Sequence, residues 1–159
     1  MKICSIAAVA NNGVIGSDGS LPWHYPKDLE HFRDTTEDNV IIMGRKTYDS
    51  FPEPLDNRHH IVLTRDTSLD SSFDDVEYVN SVDEAIKLAR VVGGDEVYVI
   101  GGEAIYELFF EYIEEMVLTE INKEYDGDRY YPEFDKENWE SDLIEKYDEF
   151  EIIRYYRNR

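Results

Sequence analysis

Two short apolar runs constrain the fold of this chain more than any other feature of its sequence. They are Val40-Ile41-Ile42-Met43 and Glu96-Val97-Tyr98-Val99-Ile100. A strand with one face in water alternates apolar and polar residues, whereas a strand covered on both faces is apolar almost throughout. Strands of the second kind belong to parallel sheets that have helices on both sides. The two runs therefore predict an α/β fold.

The remaining segments supply the other strands and the helices of such a fold. Ser81-Val82-Asp83-Glu84 is a capping box that begins a helix, and helices also fit 27–35 and 103–112. The helix after the capping box has an apolar face formed by Val82, Ala85, Ile86 and Ala89. Further strands are predicted over 3–10, 61–64, 76–79, 116–121, 150–156 and near 140–147. The sequence thus predicts a mostly parallel sheet with an antiparallel C-terminal end.

The chain is strongly acidic, with a formal net charge of −20 from 36 Asp and Glu against 16 Lys and Arg. A field of this sign repels nucleic acid and anionic membranes, so neither is an expected partner. The charge has two interpretations. One is a self-repelling, soluble surface with no special role. The other, which we favour, is adaptation to high salt, where the screening length shrinks to about 3 Å at 1 M and removes the repulsion.

Other bulk features indicate the compartment. The one cysteine, Cys4, lies in an apolar run and is expected to be a buried, unreactive thiol. No apolar run approaches the roughly 20 residues of a membrane helix, and the start lacks the apolar core of a secretory signal. We therefore expect a cytoplasmic monomer that consists of a single domain over 1–159.

Three predicted strands end in residues that suit phosphate groups. Gly44 follows the predicted strand 40–43 and precedes Arg45-Lys46, and a helix is predicted to begin near Thr47. Gly101-Gly102 follows the predicted strand 96–100. Arg65 follows the predicted strand 61–64, which ends in Leu63-Thr64. Each feature alone also fits a capped turn, a tight turn or a solvated arginine. Because ligands of open α/β sheets bind beyond the strand ends, three such features together favour a dinucleotide with an additional phosphate, such as NADPH.

The segment 13–32 is the most informative. Gly13, Gly16 and Gly19 predict a mobile loop, and Pro26 suits the first turn of a helix. Asp28 and Phe32 lie four residues apart, so they share a helix face that Leu29 extends. A carboxylate on an apolar face is either an exposed acid near a helix N-terminus or a group that awaits a ligand with paired N–H donors. The spacing alone leaves both readings open.

These residues resemble the dihydrofolate reductase family. Leu21-Pro22-Trp23 followed by Pro26, Asp28-Leu29 and Phe32 is similar to the active-site loop and first helix of that family. Residues 42–48 resemble the family's first phosphate-binding turn, and Ile100-Gly101-Gly102 with Tyr106 resembles its second. The opening strand and loop (6–8 and 14–16) and a late hairpin (126–132) also match. The resemblance runs in order from residue 3 to about 140.

The resemblance implies an eight-stranded mixed sheet with four helices. It also implies hydride transfer from NADPH to C6 of 7,8-dihydrofolate, with a proton added at N5. Asp28 would bind the pterin 2-amino group and N3, and its geometry makes water the better proton donor to N5. Trp23 and Thr119 would hold ordered water and the carboxylate, and Tyr106 would complete the catalytic set. Whether burial raises the pKa of Asp28 more than hydrogen bonds lower it is left open by the sequence.

The same resemblance distributes the binding residues between two ligands. Those expected at the substrate are Ile6, Ala8, Asp28, Leu29, Phe32, Phe51, Leu55, Arg58, Ile100, Tyr106 and Thr119, of which Arg58 would bind the α-carboxylate of the glutamate tail. Those expected at the cofactor are Ala8, Ile15, Gly16, Leu21, Gly44, Arg45, Lys46, Thr47, Leu63, Thr64, Arg65, Ile100, Gly101, Gly102, Glu103, Ala104, Ile105 and Tyr106.

The chain departs from the family pattern at one turn. Glu103 stands where many members have a third glycine, and Ala104 adds no cation, so Arg45 and Arg65 would carry the preference for NADP over NAD. His59-His60 is interpreted as surface or packing histidines, with no metal site. Asp126-Gly127-Asp128 lacks the spacing of a calcium loop and is predicted to be a hairpin turn.

Two alternative functions remain to be weighed. A pyrimidine reductase of riboflavin synthesis shares the fold, but Trp23, Pro26 and Asp28 argue against it. A non-catalytic nucleotide-binding or acidic interaction protein that kept the fold would be expected to lack Asp28, Trp23 or the glycines, and all are present. Fold alone does not decide between these functions, whereas the site residues favour the reductase.

Overall fold

The computed structural model describes residues 1–16, 21–71 and 73–158 and contains ten strands in that part of the chain. The strands are β1 Lys2–Val9, β2 Val14–Gly16, β3 Val40–Gly44, β4 His59–Leu63, β5 Val76–Val79, β6 Glu96–Val99, β7 Glu115–Ile121, β8 Arg129–Tyr130, β9 Trp139–Lys146 and β10 Phe150–Arg157. Eight of them form one sheet in the order β5-β4-β3-β6-β1-β7-β10-β9, and β2 pairs with β8.

The sheet is parallel except at its C-terminal edge. β1 pairs in parallel with β6 and β7, and β3 pairs in parallel with β4 and β6. β10 runs antiparallel to both β7 and β9. The predicted fold is therefore confirmed, including the mostly parallel sheet and its antiparallel end. The carboxyl ends of β1, β3, β4 and β6 lie at one edge, where a ligand is expected.

Four α-helices flank the sheet in the described residues. They are α1 Pro26–Thr36, α2 Arg45–Asp49, α3 Val82–Val92 and α4 Glu103–Phe109. None of them is long and apolar enough to cross a membrane. The side chain of Ser81 accepts a hydrogen bond from the Glu84 backbone at the start of α3, as the capping box predicts, and Ala85, Ile86 and Ala89 are buried.

Two predicted helix boundaries are wrong. The helix after β3 begins at Arg45 rather than near Thr47, because Gly44 is the last extended residue and serves as the N-cap. The helix predicted over 103–112 is α-helical only to Phe109, and Phe110–Tyr112 form a 3-10 turn. The first difference places Arg45 in the first turn of α2.

The core consists of two apolar clusters. One contains Ile42, Val99, Ile105 and Tyr106, and the other contains Ile6, Trp23, Ile41 and Met43. Successive residues of β3 point into different clusters, so this strand is buried on both faces as its apolar run predicts. Cys4 is also fully buried, and burial raises the pKa of its thiol to about 12, which keeps it protonated and unreactive.

Candidate active site

A half-buried carboxylate lies at the centre of the candidate site. Asp28 is in the first turn of α1, and the Oγ1 hydroxyl of Thr119 donates a hydrogen bond to its Oδ1 atom over 2.6 Å. Thr119 is buried in β7, opposite Ala8 of β1 and Ile152 of β10. This contact joins two segments that are 91 residues apart in the sequence. The sheet therefore positions one oxygen of the carboxylate.

Burial determines the acidity of Asp28. Loss of hydration raises its pKa above the ordinary 3.8, and the hydrogen bond from Thr119 and the nearby His31 oppose that rise without cancelling it. The sequence does not show which of these effects on the pKa is larger. In the structure, burial has the larger effect. An aspartate of this kind retains its proton to a higher pH than an exposed one, which suits a group that binds an ionisable ring.

The indole of Trp23 approaches the site from the preceding loop. It is only 9% exposed and packs against Tyr125, with ring centroids 5.0 Å apart. Its Nε1 atom is buried and has no hydrogen-bond partner among the described residues. Buried indole N–H groups in proteins nearly always have a partner. An N–H in this situation suits an ordered water, the role that the family resemblance implies for Trp23.

Most of the predicted apolar substrate residues collect in one cluster, whereas Tyr106 belongs to the other. The cluster that holds Ile6 and Trp23 also has partly buried members, and these include Ala8, Phe32, Phe51, Leu55 and Ile100. Leu29 differs from them, because 47% of its surface is exposed. A wall of rings and aliphatic side chains beside a carboxylate suits a flat heterocycle with polar edges.

A second charged group is fixed nearby. Arg58 is only 8% exposed, its Nε donates to the Asp56 carbonyl over 2.8 Å, and its Nη1 donates to Thr36 Oγ1 over 3.1 Å. These bonds use two of the five guanidinium donors. Burial lowers the pKa of Arg58, but the group remains a cation at any physiological pH. The two bonds hold the guanidinium in place and leave its other three N–H donors outside these contacts.

His60 organises the loop that carries Arg58. Its Nε2 accepts a hydrogen bond from the Leu55 backbone over 3.0 Å, so its Nδ1 carries the proton and donates to the Arg58 carbonyl over 3.1 Å. Burial lowers the pKa of His60, which favours this neutral form. The prediction of a packing histidine is confirmed for His60, but its link to Leu55 and Arg58 was missed. No local sequence signal indicates such a link.

Two glycine-containing turns, one at Gly44 after β3 and one at Gly101-Gly102 after β6, contact each other. The Gly44 N–H donates to the Gly101 carbonyl over 2.9 Å, and Gly101 has a φ of 117°, which an L side chain rarely adopts. A Cβ atom at Gly44 would lie 3.0 Å from Ile105 Cγ1, and one at Gly101 would lie 3.2 Å from the Tyr106 ring. The Gly101–Gly102 peptide bond is cis. At the ends of β3 and β6, Gly101 is buried, whereas Gly44 and Gly102 are half-buried.

Tyr106 connects these turns to the substrate side. Its hydroxyl donates to the Ile6 carbonyl over 2.7 Å, and its ring packs against Tyr131 with centroids 5.1 Å apart. Burial raises the pKa of Tyr106 well above its usual value, so the hydroxyl remains a donor. Tyr131 donates to Ser5 Oγ over 2.8 Å; the sequence singled it out only as part of the late hairpin, and its contact with Tyr106 was not predicted.

Charged side chains surround the ends of β3 and β4. Arg45 and Arg65 are exposed, and Arg45 contacts the carboxylates of Asp49 and Asp66. The backbone after β4 is fixed by Asn80, whose Nδ2 donates to the Thr64 carbonyl over 2.9 Å. Asp66 and Asn80 were missed in the sequence, because neither residue type indicates a phosphate site.

The other predicted cofactor residues differ in their surroundings. Ile15, Leu63 and Ile105 pack in or against the cluster that contains Tyr106. Gly16 ends β2, and its carbonyl accepts a hydrogen bond from the Asp128 N–H over 3.1 Å. The hairpin turn predicted at 126–128 is wrong, because the following strand β8 pairs with β2 and not with β7. Residues with more open surroundings, either half-buried or exposed, are Leu21, Lys46, Thr47, Gly102, Glu103 and Ala104. The loop predicted to be mobile includes 17–20, which lie outside the described residues.

A carboxylate in an apolar site, next to a sheet edge with glycine turns and arginines, defines an α/β enzyme that acts on a small ring with a nucleotide cofactor. Comparison with known proteins identifies the family within this class. The dihydrofolate reductase family model matches residues 2–156, which is nearly the whole chain. This chain belongs to the dihydrofolate reductase family.

Individual relatives agree with that assignment. The chain is 41% identical over 165 residues to dihydrofolate reductase HdrB of Haloferax volcanii, an alignment that covers 100% of this chain and 85% of the relative. It is 41% identical to dihydrofolate reductase of Bacillus subtilis, covering 86% and 79% of the two chains. The solved dihydrofolate reductase of Enterococcus faecalis, complexed with NADP(H) and RAB-propyl, superimposes with a TM-score of 0.85 at 29% identity and covers 99% of this chain and 97% of its own.

Proposed function

We propose that this protein reduces 7,8-dihydrofolate to 5,6,7,8-tetrahydrofolate with NADPH, transferring a hydride to C6 and adding a proton at N5. The product would supply one-carbon units for thymidylate, purine and glycine synthesis. The observation that carries the proposal is the half-buried Asp28 carboxylate, which accepts a hydrogen bond from Thr119 and lies on the same helix as Phe32, a member of the cluster that holds Trp23. The Enterococcus faecalis relative is complexed with NADP(H), which supports the choice of cofactor.

In this proposal Asp28 anchors and polarises the pterin. Its two oxygens would accept hydrogen bonds from the 2-amino group and N3, a paired arrangement that fixes the ring in its plane. N5 lies several atoms from those groups, so a direct proton transfer from Asp28 is geometrically poor. A water near Trp23 Nε1, the buried donor with no partner among the described residues, is the better placed proton source. Thr119 keeps Asp28 in position.

Apolar residues and Arg58 would bind the remainder of the substrate. Leu29, Phe32, Phe51 and Leu55 would enclose the pterin and benzoyl rings, and the exposure of Leu29 leaves its side chain accessible to a ligand. Arg58 would bind the α-carboxylate of the glutamate tail with the donors that Asp56 and Thr36 do not use. Burial of the guanidinium strengthens such an ion pair by excluding water.

The residues at the sheet edge fit a dinucleotide phosphate. A Cβ at Gly44 or Gly101 would meet Ile105 or Tyr106, so glycine is needed at both positions for these turns to pack against α4. Arg45 and Arg65 would bind phosphate, and Ala8, Ile15 and Leu21 would border the nicotinamide. The cofactor supplies the hydride, and the protein orients the two rings. Glu103 is a half-buried acid in this region and would weaken the pyrophosphate contact at low salt.

Three further properties belong to the same proposal. We infer that the protein is a cytoplasmic monomer and that residues 1–159 act as one domain. We also infer that its acidic surface, with a net charge of −20, is an adaptation to high salt. Neither nucleic acid nor membrane is an expected partner of so acidic a chain.

An isotope experiment tests the proposed reaction. The protein is incubated with dihydrofolate and NADPH that carries deuterium at C4 of the nicotinamide, at low and at molar salt. We expect oxidation of the cofactor and one deuterium at C6 of tetrahydrofolate, seen by mass spectrometry and NMR. Binding of both ligands without turnover under any salt condition would instead favour a non-catalytic binding protein.

A further inference from the structure

Arg45 is flanked by two carboxylates. Its Nε lies 3.4 Å from Asp49 Oδ2, within α2, and its Nη1 lies 3.6 Å from Asp66 Oδ2, in the turn that follows β4. Asp49 and Arg45 are four residues apart on one helix, a common surface pairing. Asp66 is different, because it lies in the turn after another strand, β4. Its carboxylate faces Nη1, one of the two terminal guanidinium nitrogens, which commonly bind phosphate oxygens.

The turn around Asp66 holds the carboxylate in place. The Ser68 backbone N–H and the Ser68 hydroxyl both donate to Asp66 Oδ1, over 2.9 and 2.6 Å, and the Asp66 N–H donates to Thr64 Oγ1 over 3.1 Å. The bonds from Ser68 lower the pKa of Asp66, so the group remains negative throughout the physiological range. Oδ1 is thus bound to the turn, and Oδ2 is directed at Arg45.

A phosphate on Arg45 must share the guanidinium with this fixed negative charge. NADPH differs from NADH only by a 2′-phosphate, which carries close to two negative charges at neutral pH. We propose that Asp66 is a specificity-determining residue that weakens binding of the 2′-phosphate at low ionic strength. The inference rests on the proposed function, in which Arg45 and Arg65 bind that phosphate.

Salt changes the size of the effect. The screening length falls from about 10 Å at 0.1 M salt to about 3 Å at 1 M. Repulsion between Asp66 and a phosphate is therefore much weaker at molar salt than at low salt. Salt also weakens the attraction between arginine and phosphate, so total affinity does not isolate the effect of Asp66. The difference between the natural chain and a variant without that charge does isolate it.

Asp66→Asn is a conservative test. Asparagine keeps an Oδ1 acceptor for Ser68, so the turn is preserved, and the charge that faces Arg45 is removed. The probes are adenosine 2′,5′-bisphosphate and adenosine 5′-monophosphate, which differ by the 2′-phosphate and do not depend on the nicotinamide site. Their dissociation constants are measured by calorimetry at 0.1 and 1 M KCl.

We expect Asp66→Asn to bind the bisphosphate about fivefold more tightly than the natural chain at 0.1 M KCl and less than about twofold more tightly at 1 M. Affinity for the monophosphate is unchanged. Glu140→Gln is the matched control, since Glu140 is exposed on β9, at the opposite edge of the sheet from β5 and β4. It makes the same change in net charge and leaves both affinities unaltered.

The outcomes separate this inference from the proposed function. Equal affinity of Asp66→Asn and the natural chain for a bisphosphate that both bind overturns the role of Asp66 and leaves the cofactor site intact. An equal gain in Glu140→Gln, or for the monophosphate, overturns it as well, because the gain would then follow net charge. If neither protein prefers the bisphosphate to the monophosphate at any salt, the phosphate does not bind at Arg45, and that part of the proposed function fails too.

Discussion

The behaviour of Asp28 depends on a contact that the local sequence does not contain. Spacing on α1 identifies a carboxylate on an apolar face, and that much follows from residues 26–32 alone. Its acidity depends on how deeply β7 and the surrounding side chains bury it, and Thr119 is 91 residues away. Burial and long-range hydrogen bonding arise only from the folded sheet. This is why the direction of the pKa change had to be taken from the structure.

A stability measurement checks that direction. Because burial raises the pKa of Asp28, the native state binds this proton more tightly than the unfolded chain does. The resulting stabilisation is full below the ordinary pKa of 3.8 and is lost as the pH rises through the native value. At neutral pH the ionised group therefore costs stability. We expect Asp28→Asn to melt at a higher temperature than the natural chain at pH 7, with the difference shrinking as the pH falls.

The control for this prediction is Asp34→Asn. Asp34 is exposed on the same helix, so the variant makes the same chemical change away from the buried face. Its melting temperature should follow that of the natural chain at each pH. If Asp28→Asn were less stable than the natural chain at pH 7, the raised pKa of Asp28 would not be the governing effect.

The roles of Asp66 and His60 could not be predicted from their positions in the sequence. Both act through contacts with other segments, Asp66 with Arg45 across two strand ends and His60 with Leu55 and Arg58 in one loop. An aspartate in an acidic chain gives no reason to single it out, and an adjacent histidine pair indicates packing as readily as function. The roles of such residues become visible only when distances between segments are known.

At the level of elements, prediction succeeded where the pattern was local. The strands over 40–43, 76–79 and 116–121 match β3, β5 and β7 to within one residue. Strand identity follows from apolar runs, which the chain displays directly. The beginning of α2 was misplaced because Gly44 is extended, and its N–H donates a hydrogen bond to Gly101, in the turn that follows β6. Non-local contacts again explain the failure.

The capping box of α3 allows a test at this scale. Ser81 Oγ accepts a hydrogen bond from the Glu84 N–H over 3.1 Å, and the Glu84 side chain accepts one from the Asn80 N–H over 3.0 Å. Ser81→Ala removes the first of these and is expected to lower the free energy of unfolding by about 1 kcal/mol. Urea unfolding followed by circular dichroism measures the change.

Ser141→Ala serves as the comparison, because Ser141 is exposed on β9 and caps no helix. Its unfolding midpoint should stay close to that of the natural chain. Equal losses in both variants would mean that removal of any serine hydroxyl, rather than the loss of a helix cap, accounts for the result at Ser81.

The net charge of −20 is a property of the whole molecule. Mutual repulsion of surface carboxylates opposes the compact state, and salt screens it. If the acidic surface is a salt adaptation, the melting temperature should rise as KCl increases from about 0.1 to 1 M, because screening at the higher concentration is nearly complete beyond 3 Å. Chloride is the appropriate anion, since sulfate strengthens apolar burial by itself. A melting temperature that falls with added KCl would contradict the proposal.

The central claim is that Asp28 binds the pterin during reduction of dihydrofolate, and one kinetic comparison tests it most directly. The kcat/KM of NADPH-dependent dihydrofolate reduction is measured at pH 7 and molar KCl for the natural chain, Asp28→Asn and Asp34→Asn. We predict that Asp28→Asn loses about a hundredfold or more, while Asp34→Asn stays within about twofold of the natural chain. An Asp28→Asn variant as fast as the natural chain would contradict the role assigned to this carboxylate.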